Sequence, residues 1–443
     1  MRCLKLMKLL PIIGILWGCY YSNPHPNPDW DFSTDSPWPA IRAERIQRLL
    51  PQAMDSAGVE AWVTLVRENA NDPLALHLGG ENAGAPAGII FFRTPSGVRS
   101  VIISGFGEAI ALRELAIHDS VVVYNRDPGE LERQIADRLR AVSPSRIAIN
   151  SSNSAISDGI SWSQRTALEA ALDPSLRERL ISSAPLVEAW LGVKLPAEIA
   201  ILKRAASLTA ALEEEAYATV EPGVTRDSDI GRYLERRMNE LGVTDGWHPA
   251  QNPSVNSGPD RGHSHPSDRI IQPGDVIQID FGIRVHGVWV TDIQRFAYVL
   301  KPGESSTPPE IEHRWQSAVA GSRAAFQALK PGATGAAADS AQRLTMADSG
   351  SLPVPWGTGH SVGYWAHDAG PGINRRELRT FRPGNVVAFD GFHAWALPGS
   401  DGHTWGDGTK SISVEEMAVI TSTGAEFLIP PQEQLILIRT RGN

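Results

Sequence analysis

Two periods of apolar residues run along the chain. In the first half, AWVTLV at Ala61–Val66 and the runs at 88–92, 98–103 and 146–149 are short and rich in β-branched or aromatic residues, and they predict buried strands. Between them, residues 41–50 set Ile41, Ile46, Leu49 and Leu50 around Arg45 and Arg48, and 108–117 and 131–142 also carry apolar residues at helical spacing. Strands alternating with helices predict an α/β layer structure. No chemistry assembles in this half. His77, His118 and Glu81 stand alone and read as structural or exposed, and 151–157 is a polar, Ser-rich loop.

The second half opens with a helix predicted over Pro196–Ala218, with Ile199, Leu202, Ala206 and Leu212 on one stripe. Pro222-Gly223 ends it. Thr225 is the expected N-cap of the next helix, whose stripe is Ile230, Leu234, Met238 and Leu241 and which Gly242 closes. Then comes GDVIQIDFGIRVHGVWVTDIQRFAYV at 274–299. Strands are predicted at 276–281 and 288–299, with the reversal at 284–287, and each strand carries an Asp where an apolar residue is expected. A hairpin centred on His286 sets Asp280 opposite Asp292, on one face of the sheet. A two-residue turn at His286-Gly287 instead shifts the register by one and needs a bulge to restore that face. Two buried ionised Asp side chains repel each other, and a cation between them removes the cost. Two solvent-facing strand positions are the other reading of the same pattern.

Three later segments extend it. WGTGHSVG at 356–363 places His360 among glycines, with His367 seven residues on. NVVAFDGF at 385–392 carries Asp390 in an apolar strand, and SISVEEMAVIT at 411–421 carries Glu415 and Glu416, of which only one can face inward. Asp280, Asp292, His360, Asp390 and Glu415 form a set of oxygen donors with one imidazole. It suits two divalent ions such as Mn²⁺, Co²⁺, Fe²⁺ or Zn²⁺, and the absence of thiolate argues against a structural zinc.

The order D-F-G, T-D-I-x-R, G-H-S-V-G-x-x-x-H, a strand carboxylate and V-E-E-M resembles the pita-bread metallopeptidases of the M24 family, in the Xaa-Pro aminopeptidase and prolidase branch. The likeness covers the chain from about Leu186 onward. It implies an α+β architecture, with a pita-bread domain at 185–443 preceded by a smaller α/β creatinase-like domain at 41–184. It further implies that Asp280 chelates one ion, that Asp292 and Glu415 bridge two, and that His360 and Asp390 complete the set, with manganese the foremost candidate. Asp390 stands where the family has Glu, and Asp368 also replaces a usual Glu. His263, in H-x-x-P-S-D, matches the histidine that assists the leaving nitrogen, and His367 the one that contacts the scissile carbonyl. The implied activity is hydrolysis of the N-terminal Xaa-Pro bond of short proline-containing peptides. Strict Xaa-Pro dipeptide cleavage and a non-catalytic binding module are the alternatives, and a homodimer is the assembly implied.

Composition and the N-terminus add context. At 443 residues the chain is long enough for two domains, and a formal net charge of −9 offers no basic surplus for nucleic acid. Residues 1–8 carry Arg2, Lys5 and Lys8, 9–17 is a short apolar run, and Leu16-Trp17-Gly18-Cys19 resembles a lipobox. The expectation is a signal peptide at 1–18, a lipid-bearing Cys19 and a Pro-rich tether at 19–40, making an exported cell-envelope lipoprotein that meets the membrane only through its anchor. Cys3 and Cys19 are the sole cysteines, so the mature chain has no disulfide to form.

Overall fold

The computed structural model describes residues 30–400, 405, 406 and 408–439. The signal-like 1–18, Cys19 and the first part of the Pro-rich stretch lie outside these. Among the described residues no helix is long and apolar enough to cross a membrane.

The first half folds around a mixed six-stranded sheet. Its order is Ser120–Tyr124, Gly97–Gly105, Ala87–Thr94, Ala61–Val66, Ile147–Ile149 and Leu180–Ser182. Ala61–Val66 is buried at every position because both faces are covered. The Glu130–Val142 helix packs Leu131, Ile135, Ala136 and Leu139 on one of them. The predicted 41–50 helix is longer and irregular. It begins at Trp38, with Pro37 as N-cap and Pro39 in the first turn, passes through a π segment at Arg45–Leu49, and continues as Leu50–Ala57 to Gly58. Pro at a helix start is favourable because its missing N–H has no intrahelical partner there anyway. The end of the Pro-rich stretch is therefore helix rather than extended tether. The helix expected at 108–117 is confined to Ala109–Glu114.

The second half is built on a larger sheet in the order Gly359–Ser361, Val386–Ala396, Thr409–Ile420, Ile293–Val299, Val276–Phe281 and Ser254–Asn256. Ala425–Phe427 adds beside Thr409–Ile420, and Ile436–Ile438 beside Ile293–Val299. Thr409–Ile420 and Ile293–Val299 meet through the pair Gln294–Glu415. The Pro196–Ala218 helix lies against one half of the sheet, where the Tyr217 hydroxyl donates to the Arg295 carbonyl at 2.7 Å. The Pro309–Ala328 and Gly335–Asp348 helices cover the other half. The helix after Pro222-Gly223 spans Asp227–Leu241 and ends at Gly242 in the left-handed region, φ 67°. Its N-cap is Arg226, not Thr225, whose hydroxyl instead accepts from the Glu221 N–H at 2.8 Å.

The hairpin that carries Asp280 and Asp292 departs from a centre on His286. His286 (φ 51°) and Gly287 (φ 69°) form the two-residue turn, closed by the Val288 N–H on the Val285 carbonyl at 3.0 Å. Strand pairing then resumes at Val285–Trp289, which makes Val288 one extra residue. Asp280 consequently faces Gln294, and Asp292 stands two positions from Gln294 on the same strand. The two aspartates share a face as diagonal neighbours rather than as a direct pair. The strand expected over 288–299 is broken into Trp289–Val290 and Ile293–Val299 around Thr291 and Asp292.

Candidate metal centre

The site follows from strand register. Ser254, Asp280, Gln294, Glu415 and Asp390 are successive cross-strand partners, so all five side chains lie on one face. Asp390 N–H bonds to the Thr358 carbonyl at 2.8 Å and so brings the neighbouring strand into line. His360, two residues further on, projects from that strand to the same face. Glu416, adjacent to Glu415, points the other way. There it pairs with Arg295 at 3.1 Å and accepts from the Gln432 N–H at 2.7 Å.

Of the five residues expected as ligands, Asp292, His360 and Glu415 offer donor atoms that all lie within 4.8 Å of one another. His360 Nε2 is 3.7 Å from Asp292 Oδ2 and 3.8 Å from Glu415 Oε1. Asp280 and Asp390 share the face but stand outside that group. The three donors fit a divalent ion on the chemistry of this pocket. Asp280, Asp292, Asp390 and Glu415 are buried together, and their mutual repulsion asks for a cation. Burial pushes the Asp280 carboxyl up to about 7, and burial with the nearby Asp280 charge pushes Glu415 up to about 8. Asp292 and Asp390 are raised well above the usual carboxylate range, first by burial and then by Glu415. Burial, and after it His367, holds His360 down to about 3, so its imidazole is neutral and free to ligate.

The remaining expected residues line the same cavity, of about 520 Å³. His367 lies beside His360 with ring centroids 4.1 Å apart and the planes tilted by 37°. His263 is 63% exposed at the rim, its Nε2 3.5 Å from Asp280 Oδ2. His265 is exposed and does not line the cavity. Sequence reasoning missed Gln294, which joins the acidic row, and the walls formed by Trp247, Trp356 and Trp405. Trp356 and Trp405 meet edge to face at 4.9 Å. Gly282 lets Trp247 close on the sheet, since a Cβ there would stand 2.4 Å from its ring. Gln294 was legible in principle, as the polar residue two positions after Asp292 on the same face. His77 and His118 are structural. His77 is buried among Trp38, Trp190 and Tyr364, and His118 packs against Phe91.

A model of metallopeptidase family M24 matches residues 200–422. The chain belongs to metallopeptidase family M24. That span holds all five acidic and imidazole residues of the centre, together with His263 and His367. Among curated relatives, the M24 chain is 26% identical over 262 residues to the uncharacterized peptidase YqhT of Bacillus subtilis, covering 58% of this chain and 68% of that one. It is 24% identical over 249 residues to the probable dipeptidase PepE of Mycobacterium tuberculosis, covering 56% and 60% respectively. The fold matches an Xaa-Pro dipeptidase from Bacillus anthracis with a TM-score of 0.69 at 21% identity, over 90% of this chain and 100% of that one. It also matches an X-Pro aminopeptidase from Thermotoga maritima with a TM-score of 0.66 at 19% identity, over 87% and 100%. The pita-bread architecture with a preceding α/β domain is thus the fold of this M24 chain, a peptidase family that works with divalent metal.

Proposed function

We propose that this M24 chain is a metal-dependent aminopeptidase that hydrolyses the N-terminal Xaa-Pro bond of peptides longer than two residues. The observation that carries the reading is the convergence of Asp292, His360 and Glu415 on one face of the sheet, inside a cavity that also holds His263 and His367. A divalent ion there, Mn²⁺ foremost, supplies Lewis-acid chemistry when bound, activating water and polarising a carbonyl. The chain's own residues do the rest. Asp390, in line with Glu415 and raised by burial, takes the proton of the attacking water and delivers it to the departing proline nitrogen. His367 donates an N–H to the oxygen of the scissile carbonyl as charge develops on it. His263, at the open rim, assists by hydrogen-bonding the proline nitrogen as it departs.

The preference for longer peptides rests on charge. Among the described residues, the carboxylates Asp260, Asp280, Asp292, Asp390 and Glu415 line the cavity, and no Lys or Arg does. That lining suits a substrate's terminal ammonium. In a dipeptide the free carboxylate lies one residue from the scissile bond and meets the same acids. Two of the relatives are named dipeptidases, so the opposite preference is the second reading. The signal-like N-terminus and Cys19 support an envelope-anchored protein acting on peptides outside the cytoplasm.

Release of alanine from Ala-Pro-Ala and from Ala-Pro by Mn²⁺-loaded protein tests both readings, with Glu415→Ala alongside. Cleavage of the tripeptide by the parent but not the variant is expected. Cleavage of the dipeptide alone favours the second reading, and turnover by Glu415→Ala sinks the metal centre as the catalytic site.

A further inference from the structure

Gln294 is buried in the middle of the acidic row, between Asp280 on one strand and Glu415 on the other. Its Nε2 donates to Glu415 Oε2 at 2.8 Å and reaches Asp390 Oδ1 at 3.4 Å. Its Oε1 accepts from Gln278 Nε2 and from the Ser413 hydroxyl, both at 2.7 Å. The amide is therefore held from behind. With two donors on its oxygen, its nitrogen must face the carboxylates, and turning it would set oxygen against carboxylate and N–H against N–H.

We propose that Gln294 makes the metal centre unequal: its carboxamide takes the side of Glu415 that a second ion would need, so the chain binds one divalent ion tightly, at Asp292, His360 and Glu415, and a second only weakly. The inference rests on the metallopeptidase reading and refines it. A carboxylate that spans two ions offers one oxygen to each. Here Glu415 Oε1 faces His360 at 3.8 Å, while Oε2 is already committed to the Gln294 amide. Asp280, the other acid beside Gln294, has His263 as its neighbour at 3.5 Å. A second ion on this side must displace an amide donor with a fixed orientation, whereas the first meets only oxygens and a neutral imidazole.

The test is equilibrium dialysis of metal-stripped full-length chain against Mn²⁺, with bound metal counted by mass spectrometry and its EPR spectrum recorded. The parent is expected to saturate with one tight ion showing an isolated-ion spectrum, the second site being at least about tenfold weaker. Gln294→Thr, which keeps a strand-forming residue but cannot reach Glu415, should tighten the second site by about tenfold or more, the scale of one charge-assisted hydrogen bond. An exchange-coupled spectrum should accompany it. Gln278→Leu leaves Gln294 in place and removes one of the donors that fix it, so it should act in the same direction by a smaller factor. Two equally tight ions in the parent overturn the inference and leave the metallopeptidase reading standing. So does a folded Gln294→Thr chain with an unchanged second site or, should that variant not fold, an unchanged second site in Gln278→Leu. A parent that binds no ion overturns both.

Discussion

Asp390 shows how much depends on a single methylene. It is the direct cross-strand partner of Glu415, and its position in the family pattern belongs to Glu. The shorter side chain keeps the carboxylate on the acidic face but holds it closer to the strand, within 3.4 Å of the Gln294 amide. In the proposed reaction Asp390→Asn removes the proton acceptor without opening a cavity. We expect kcat to fall by about 100-fold or more while the tight ion at Asp292, His360 and Glu415 is retained, which metal analysis of the purified variant checks. Protons and metal also compete at these residues. In the metal-free chain Asp280 is raised to about 7 and Glu415 to about 8 by burial, so both carry protons below those values. Metal takes the deprotonated forms. Affinity should therefore rise as pH increases through 7 to 8, and uptake at neutral pH should release protons. Calorimetry in buffers of different ionisation enthalpy reads that release, and a heat independent of buffer would refute it.

At the scale of elements, packing fixes what the side chains can do. Gly391 follows Asp390 and points to the back of the sheet, where the Pro309–Ala328 helix crosses. A Cβ there would lie 1.9 Å from the Ala318 carbonyl oxygen and 2.7 Å from the Ser322 nitrogen. Gly391→Ala must push the helix away, and we expect a loss of about 3 kcal/mol by chemical denaturation, at the upper end for overpacking because the obstacle is backbone. His118 gives the other half a pH dependence. Burial lowers it from 6.5 in the unfolded chain to about 4 when folded. The unfolded chain thus takes up the proton first, and stability present above pH 6.5 is lost as pH falls toward 4. His77, lowered further by burial and Arg45, adds in the same direction. The thermal midpoint of His118→Gln should fall less steeply over that interval than the parent's, and parallel slopes would discount the residue.

Periodicity made the strands readable. Ala61–Val66, Val276–Phe281 and the Pro196–Ala218 helix have the ends that their apolar patterns predict. The acidic face was readable too, because Asp, Asp, His, Asp and Glu interrupt apolar strands. Strand pairing was not. Whether Asp280 opposes Asp292 or Gln294 depends on where the turn is centred and on the surplus Val288, together a two-residue shift of register that no periodicity reveals, and so Gln294 escaped notice. Thr225 is a good capping residue by type, but a side-chain bond to Glu221 claims its hydroxyl. The tryptophan walls come from three separate segments and have no signature in any one of them.

The whole molecule is held together by a buried polar knot between its halves. Arg45, on the π segment of the first half, pairs with Glu198 at 2.6 Å, both fully buried. Glu198 also accepts from Trp289 Nε1 at 3.2 Å and from the Tyr364 hydroxyl. Beside them Lys194 pairs with Asp368 at 2.9 Å, and Asp368 accepts from the Tyr364 N–H at 2.8 Å, shaping the loop that carries His367. The first half therefore braces the loop that carries His367. Arg45→Met leaves Glu198 buried without its partner, and we expect about 3–5 kcal/mol of lost stability, measured by denaturant unfolding. A loss under about 1 kcal/mol would mean that Lys194 and Tyr364 carry Glu198 on their own.

Val288 makes the metal centre a matter of counting. Sidedness along a strand is an odd–even property: each residue added or removed sends everything beyond it to the opposite surface until a second change cancels the first. The two-residue turn at His286-Gly287 would on its own leave Asp292 sharing a surface with Phe281, and the one surplus residue sets it back beside Asp280. Removing Val288 would keep every proposed ligand in the sequence and still dismantle the candidate centre. Insertions should be tolerated in the loops between strands, whereas within the hairpin only changes in pairs can leave the chain able to bind metal.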